Sequence, residues 1–518
     1  MTIGSVENPC TTTLHHTKSR GDDNKDTLSS VSRSNPTTSS NMENNEYNNS
    51  MSNGDSLQER KNSKPPRSDF TLSDFSSLLE MTFRSNSVEE YQDLMYKMQT
   101  VRQHIVNSLL ASQTVQSSWI EILRHTYNIL NDSNTREYQR QMLVNNDERF
   151  NVNIKDEIVG LEKDLKFLDE IQALQEDNKY TALDQIKLNS ILDSYHPTSE
   201  QKFYEECEQC VSFLRRFVGS AIDEGRKPIM ITDWDGTMKD YCSQYLTNLQ
   251  PIYSAVGMAR FAESFTRLTA VLTAGPLRGP GILDLTSLPI DGPVVFSGSW
   301  GREWWLRGHR IVHDDGISSE GINALERVNE EMKSLLKLGE YSQFGLVGSG
   351  VQRKVDRLTL GVQTVCGHVH PELSLRKIDP HKQILHFDPS TELEVEIVVH
   401  NDGSIWNKAN GVERLIKTVE DTLEPPGRVL ICGDTASDLP MVQHAAQQNP
   451  QGVMSVFVGA KPDLQKRVQQ IVGSPQNVCF VSCPDVIHAS IYQLLRDPDA
   501  RRGITQIPDL NPCTVNST

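Results

Sequence analysis

The sequence predicts an α/β protein built on a mostly parallel sheet covered on both faces. An α/β domain is inserted into it, and an all-α helical module and a disordered N-terminal arm precede it. Three observations carry this prediction. Residues 1–69 contain only 11 apolar side chains among Ser, Asn, Thr and Asp. From Ser87 to Phe217 apolar residues recur at three- and four-residue steps, the period of an amphipathic helix. After Arg226 the texture changes to short β-rich apolar runs with helical stretches between them, the pattern of buried parallel strands.

The arm is read over 1–80, because so few apolar groups cannot offset the conformational entropy of ordering the chain. The helical module is read over 81–224. Its first stripe is Tyr91, Leu94, Met95, Met98, Val101, Ile105 and Leu109, started by a Ser87–Glu90 capping box. A second runs through Ile154, Ile158, Leu161, Leu165 and Leu168, and a third through Phe203, Cys207, Cys210, Leu214 and Phe217. Such a bundle suits binding a protein partner or self-association, or serves as a packed spacer; the sequence leaves both open. The sheet is read over 225–300 and 401–500, from the runs at 229–231, 270–272, 294–296, 429–431 and 456–458, with helices at 254–266, 410–422 and 439–446. Residues 301–400 form the insertion and 501–518 a tail.

Composition removes several function classes. The chain has 518 residues, long enough for several domains, and no apolar run suggests a membrane span or signal peptide. Lys plus Arg total 51 against 68 Asp plus Glu, a net charge of −17 that argues against a general nucleic-acid partner. Nine scattered cysteines fit a reducing, cytoplasmic compartment.

In parallel α/β sheets the chemistry sits beyond the carboxyl ends of the strands. The first strand ends in Asp233-Trp234-Asp235-Gly236-Thr237, two carboxylates able to reach one small ligand. Alone, it is an ordinary Asp-Gly turn. The next strand ends in Thr273, whose hydroxyl and following amides suit a phosphoryl oxygen. Lys408 precedes a helix, where it can offer a point charge to phosphate or simply be solvated. A later strand ends in Gly433-Asp434-Thr435-Ala436-Ser437-Asp438, again with two carboxylates. Each feature is commonplace; their order and placement together are not.

Together the passages ITDWDGT, VLTAG, the Lys of WNKANG and ICGDTASD resemble the haloacid dehalogenase superfamily of phosphotransferases over residues 226–495. The resemblance implies a Rossmann-like core with a cap. It makes Asp233 the nucleophile and Asp235 the general acid and base, and has Thr273 and Lys408 holding phosphate oxygens. Mg²⁺ is implied at Asp233, Asp235 (through its carbonyl) and Asp434, with Asp438 binding through water or orienting the other ligands. An Asp rather than Thr at 235 implies a phosphatase or mutase rather than an ion-pumping ATPase.

Thr273 and Lys408 lie 135 residues apart, far more than one crossover needs, so a domain is inserted between them. A helix over 318–338 and alternating segments at 344–366 and 383–400 predict a mixed α/β cap. The approach to it, Ser297-Gly298-Ser299-Trp300-Gly301-Arg302-Glu303, is similar to the Ser-Gly-x-x-Gly-x-Glu passage of trehalose-6-phosphate phosphatases. Val351-Gln-Arg-Lys354 and Val395-Glu396-Ile397 resemble that family's Val-Glu-x-Lys and Val-Glu-Ile. The resemblance implies trehalose 6-phosphate as substrate, with Lys354, Glu396 and Arg302 as its binding residues. The bland reading of the first two is a cross-strand ion pair. Gln352, Gln363 and Thr435 depart from the family pattern, and a helical module stands where a glucosyltransferase domain is usual. That arrangement resembles the roundworm trehalose-6-phosphate phosphatases, whose module is likened to microtubule-interacting and transport domains. A phosphatase for another hexose or disaccharide phosphate, a phosphomannomutase, and a scaffold acting through the module remain alternatives. Cys207, Cys210, Cys479 and Cys483 are read as core residues rather than a zinc site, His368 and His370 as a solvated turn, and Trp300, Trp304 and Trp305 as packing at the hinge between core and cap.

Overall fold

The structure is a computed structural model that describes residues 86–144, 148–177, 182–240, 245–338, 350–361, 384–388, 394–399 and 405–507. The expected arm, Gln363, the His368/His370 pair and the tail beyond residue 507 lie outside the described residues.

The helical module opens with α1 (Val88–Leu110), whose N-cap Ser87 accepts from the Glu90 amide, and α2 (Ser117–Leu130). A small antiparallel sheet follows, β1 (Thr135–Arg136), β2 (Gln139–Val144) and β3 (Glu148–Asn153), leading into α3 (Lys155–Asp177). This hairpin departs from the all-α reading. Its apolar Met142, Val144 and Val152 pack into the same core as the helices, a period-2 signal too short to stand out beside long helical stripes. Helix α4 (Glu200–Glu224) runs from an N-cap at Ser199 to a left-handed Gly225 and lies along the main sheet.

The main sheet has the order β15-β14-β13-β4-β5-β6-β7-β8 among the described residues. Its strands are β4 (Ile229–Thr232), β5 (Leu268–Leu272), β6 (Val294–Gly298), β7 (Glu303–Leu306), β8 (His309–Val312), β13 (Val429–Gly433), β14 (Val453–Val458) and β15 (Val478–Val481). All are parallel except β7 and β8. Residues 303–312 therefore extend the sheet, whereas the sequence assigned them to the cap. The tight β6–β7 connection places Trp304 opposite Ser297, so this edge pairs before the chain leaves for the insertion.

Alternation along the strands divides two apolar cores. Met230, Leu430 and Cys432 face one side, and Ile229, Ile231, Val429 and Ile431 the other. The first side is covered by α4, α5 (Ile252–Phe265), α10 (Pro484–Arg496) and the helical module, which forms one continuous apolar core with them. The second is covered by α7 (Lys408–Thr418), α8 (Leu439–Gln448) and α9 (Pro462–Val472). The stripes of α1 and α3 are thus spent on the body of the molecule itself. Buried polar pairs set the fit: Arg102 of α1 meets Asp164 of α3 at 2.6 Å, and Asp164 accepts the Ile252 amide at the start of α5 at 2.7 Å.

The cap consists of α6 (Ser319–Leu335) on an antiparallel sheet ordered β11-β12-β10-β9, with strands β9 (Gly350–Arg353), β10 (Arg357–Gly361), β11 (Leu385–Asp388) and β12 (Glu394–Val399). Leu358, Leu360, Ile397 and Val399 pack under α6. The opposite face of the same strands presents Arg357, Thr359 and Glu396, with Thr359 directly across from Glu396.

Candidate active site

Register fixes the catalytic crevice. Because β4 and β13 are parallel neighbours with Thr232 beside Cys432, the residues that follow them, Asp233 and Asp434, leave the sheet side by side. The Asp233 amide donates to the Cys432 carbonyl at 3.0 Å. On the other flank β5 ends next to β4, and Thr273 follows it, buried, its hydroxyl accepting from the Gly275 amide at 3.3 Å. Lys408 opens α7 behind an Asn407 cap, and its ammonium reaches Asp233 Oδ1 and Asp438 Oδ1, each at 2.6 Å. The other Asp438 oxygen accepts the amides of Asp434 and Thr435, both at 3.0 Å.

Two carboxylates thus share one amine, and Asp434 lies beside them. Burial raises Asp233 to about 7, with Asp438 adding to the rise and Lys408 opposing it. Burial, then the charges of Asp438 and Asp233, raises Asp434 to about 10. For Lys408 burial works against the charge, but Asp233 and Asp438 outweigh it and hold the amine above its ordinary value. The cluster is short of positive charge. Oxygen atoms of Asp233, Asp434 and Asp438 lie within 4.8 Å of one another, the one such group among the described residues. The four sequence-noted cysteines form no such group, and all four are buried thiols. An all-oxygen donor set suits a hard cation such as Mg²⁺. Gly236 is built for this closeness: its φ is +82°, and a Cβ there would meet Asp434 Oδ2 at 2.3 Å.

Asp235 sits apart from that cluster, turned toward a partner the sequence did not suggest. Lys239, buried, approaches Asp235 Oδ1 at 3.0 Å and donates to the Asn248 carbonyl at 2.6 Å. In a polar loop a lysine defaults to solvent, and only its i,i+4 spacing from Asp235 hints otherwise.

The three substrate candidates lie in one chain of buried ion pairs. Lys354 meets Glu396 Oε1 at 2.7 Å, and Thr359 donates to the same oxygen at 2.8 Å. Arg357 meets Glu396 Oε2 at 2.9 Å and Asp356 at 2.9 and 3.2 Å, and Arg302 reaches Asp356 Oδ2 at 3.0 Å. Burial opposes the Glu396 charge, yet Lys354 and Arg357 overcome it and hold this carboxyl down at about 2. Asp356 and Arg357 were not singled out by sequence, although they lie two and three residues after Lys354. Arg302 also lies 4.1 Å above the Trp406 ring.

A strained turn joins this chain to the crevice. Ser299 and Trp300 have φ of +53° and +58°, held by Ser299 and Trp300 amides donating to Gly275 and Thr273 carbonyls. Gly301, at φ +84°, packs so tightly on Gly411 that a Cβ would fall 2.3 Å from its Cα. The Trp300 ring, between the clusters, faces Arg357 at 5.1 Å and Lys408 at 5.8 Å.

With this geometry in place, the comparisons with known proteins decide the family. A family model for the C-terminal part of trehalose-6-phosphate phosphatase matches residues 230–487, and one for the N-terminal helical bundle domain of that family matches residues 87–186. A trehalose-phosphatase of Brugia malayi is 57% identical over 425 residues, covering 79% of this chain and 86% of the relative. The trehalose-phosphatases of Caenorhabditis elegans and Caenorhabditis briggsae are 46% and 47% identical, covering 81% and 80% of this chain and 98% of each relative. The chain belongs to the trehalose-6-phosphate phosphatase family. Both parts of the family's architecture are therefore present, the helical bundle and the catalytic unit with its cap. Among the described residues no helix is long and apolar enough to cross a membrane.

Proposed function

We propose that the protein hydrolyses trehalose 6-phosphate to trehalose and phosphate through an aspartyl-phosphate intermediate, with Mg²⁺ as cofactor. The observation that carries the reading is the convergence of Asp233, Lys408, Asp434 and Asp438 in one buried, charge-deficient crevice of a chain from this family.

In this reading an Asp233 oxygen attacks phosphorus in line and the bond to the sugar oxygen breaks. Asp235 gives its proton to the departing trehalose oxygen. It then takes one from the water that attacks phosphorus, which releases Asp233 and phosphate. Lys408 and Thr273 hold phosphoryl oxygens. Asp233, Asp434 and the Asp235 carbonyl would hold Mg²⁺, with Asp438 orienting Lys408 and the 433–435 turn. When bound, the ion supplies positive charge that offsets the clustered carboxylates and the phosphoryl oxygens. Lys354, Glu396 and Arg302 read the sugar hydroxyls, exchanging ion-pair contacts for hydrogen bonds to substrate as the cap admits it.

We also place the compartment as cytoplasmic, which the odd cysteine count supports. The chain is divided into an arm over 1–80, a helical module over 81–224, a core over 225–312 and 401–500, a cap over 313–400 and a tail. The module's apolar faces lie against the core, which supports an internal structural role over docking of an outside protein.

The test is phosphate release from trehalose 6-phosphate, sucrose 6-phosphate, glucose 6-phosphate and mannose 6-phosphate, with Mg²⁺ and with chelator. A large Mg²⁺-dependent preference for trehalose 6-phosphate is expected. Comparable rates on all four would withdraw the sugar assignment and keep the phosphatase chemistry. No release from any would shift the function to the helical module.

A further inference from the structure

Helix α3 of the module holds the chain beyond Asp235 at three points. Lys163, buried, lies 3.1 Å from Asp240 Oδ2 and 2.7 Å from Asp485 Oδ2 of α10, with the Tyr195 ring 5.1 Å away. Asp485 is itself pinned, accepting from the Tyr253 hydroxyl at 2.7 Å. On the same helix Glu157 accepts from the Thr247 hydroxyl, and Asp164 accepts the Ile252 amide. Positions 157 and 164 are two turns apart and share a face, and 163 lies on the adjoining one. The buried side of this helix therefore binds residues 240, 247 and 252.

Just before the first of those points runs the segment that carries the proposed acid–base carboxylate. Asp240 is adjacent to Lys239, whose ammonium meets Asp235 and the Asn248 carbonyl. The backbone between them is a short closed turn: the Gly236 amide donates to the Lys239 carbonyl at 3.0 Å and the Met238 amide to the Trp234 carbonyl at 2.9 Å. The Met238 carbonyl accepts from His488 Nε2 at 2.7 Å and from the Ser254 hydroxyl at 3.3 Å. Among the described residues this loop is supported from α3, α5, α10, the 245–248 turn and Asp434, which accepts from the Thr237 hydroxyl at 3.5 Å; Asp240 is held at its carboxylate by Lys163 and at its carbonyl by the Asn248 side-chain amide at 3.4 Å.

We propose that Lys163, a residue of the helical module, is a positioning residue for Asp235, acting through Asp240 and Lys239. The module then belongs to the catalytic apparatus rather than serving as an appendage. Lys163 does not touch substrate. It fixes the far end of a turn whose near end holds the proton-transferring carboxylate, and a displacement of about 1 Å there is enough to slow chemistry. This inference rests on the phosphatase reading above, and its test separates the two.

The decisive variant is Asp240→Asn in the full chain, because Asp240 is half-exposed and its neutral isostere leaves Lys163 still paired with Asp485. Expected are a fall in kcat on trehalose 6-phosphate of about tenfold, an unchanged KM and a Tm within about 2 °C of wild type. Lys163→Met should lower kcat at least as far, and the double variant should be no slower than Lys163→Met alone. Amide exchange at Gly236 and Met238 should quicken in Asp240→Asn without substrate. A kcat within twofold of wild type, independent losses in the double variant, or unchanged exchange would overturn the proposal. If wild-type protein releases no phosphate from trehalose 6-phosphate, the substrate reading fails, and the exchange comparison still decides the role of Lys163.

Discussion

Two buried charge clusters lie either side of Trp300, and they are balanced in opposite ways. In the crevice three carboxylates cluster around one amine that pairs with two of them, and two are pushed far up, Asp233 to about 7 and Asp434 to about 10. On the cap side Lys354 and Arg357, joined by Arg302 from the core, pair with Glu396 and Asp356, and Glu396 is held down at about 2. The difference teaches what each cluster is for. A cluster short of positive charge is prepared to accept a cation and an electrophile. On the reading proposed above, a cluster whose charges are already paired would exchange partners, giving up ion pairs for sugar hydroxyls as substrate enters.

The sharpest test of the first half is Asp233→Asn. Turnover should fall roughly ten-thousand-fold or more, since no other carboxylate occupies the attacking position. Its circular dichroism should match wild type, because the amide keeps the shape and removes one of three crowded charges. Residual turnover at a tenth of the wild-type rate would break the assignment of Asp233 as nucleophile.

The second half is tested by Lys354→Ala. Loss of a charged hydrogen bond to the sugar should lower kcat/KM for trehalose 6-phosphate about a hundredfold. On an aryl phosphate without a sugar the loss should stay below about threefold. Equal losses on both substrates would mean that the cap cluster merely holds the cap together.

These two clusters were not equally legible in the sequence. The crevice could be read because its residues follow predictable strands within a few positions of each other, and parallel pairing brings strand ends together whatever lies between. Asp233, Asp235, Thr273, Asp434 and Asp438 were nameable on that ground, and Lys408 from its place at the head of a helix. The cap cluster was half legible: Lys354, Glu396 and Arg302 rested on resemblance, while Asp356 and Arg357 passed as part of a strand. Lys239 gave little signal because a lysine in a polar loop defaults to solvent, and Lys163 gave none because its partner comes from elsewhere in the fold; Lys163 and Asp485 are 322 residues apart. The β1–β3 hairpin was hidden for a different reason, a short period-2 signal beside long helices. The β7–β8 edge was misassigned because an antiparallel extension of a parallel sheet looks like the start of a new domain.

The opposite titrations give a third, smaller effect. A carboxyl whose folded value is raised binds its proton more tightly folded than unfolded, so it favours the fold at low pH and penalises it as pH rises. In chelator, Asp233 should erode stability from about pH 4 to about 7, and Asp434 on toward about 10. Glu396 has the reverse sign: its contribution is complete above its unfolded value near 4.3 and is lost as pH falls toward about 2. Thermal melts should therefore decline by several degrees between pH 5 and pH 8.5 in chelator, and less in Mg²⁺, which binds the ionised carboxylates. A flat profile in chelator would show that the crevice is not short of positive charge.

The smallest effect concerns whether the clusters act independently. Trp406 stands between them: its Nε1 donates to the Trp300 carbonyl at 2.9 Å, and its own carbonyl accepts from Arg357 at 3.0 Å. Trp406→Phe removes the first bond, keeps the second, and leaves a ring beneath Arg302. If the clusters are separate, the loss is one partly buried hydrogen bond, about 1 kcal/mol, or a Tm lower by roughly 2 °C in a chain of this size. kcat/KM should then change less than threefold. A tenfold fall in turnover at unchanged Tm would instead mean that the Trp300 turn transmits the cap's state to Lys408, because Trp300 is then the only group whose position the substitution alters on both sides.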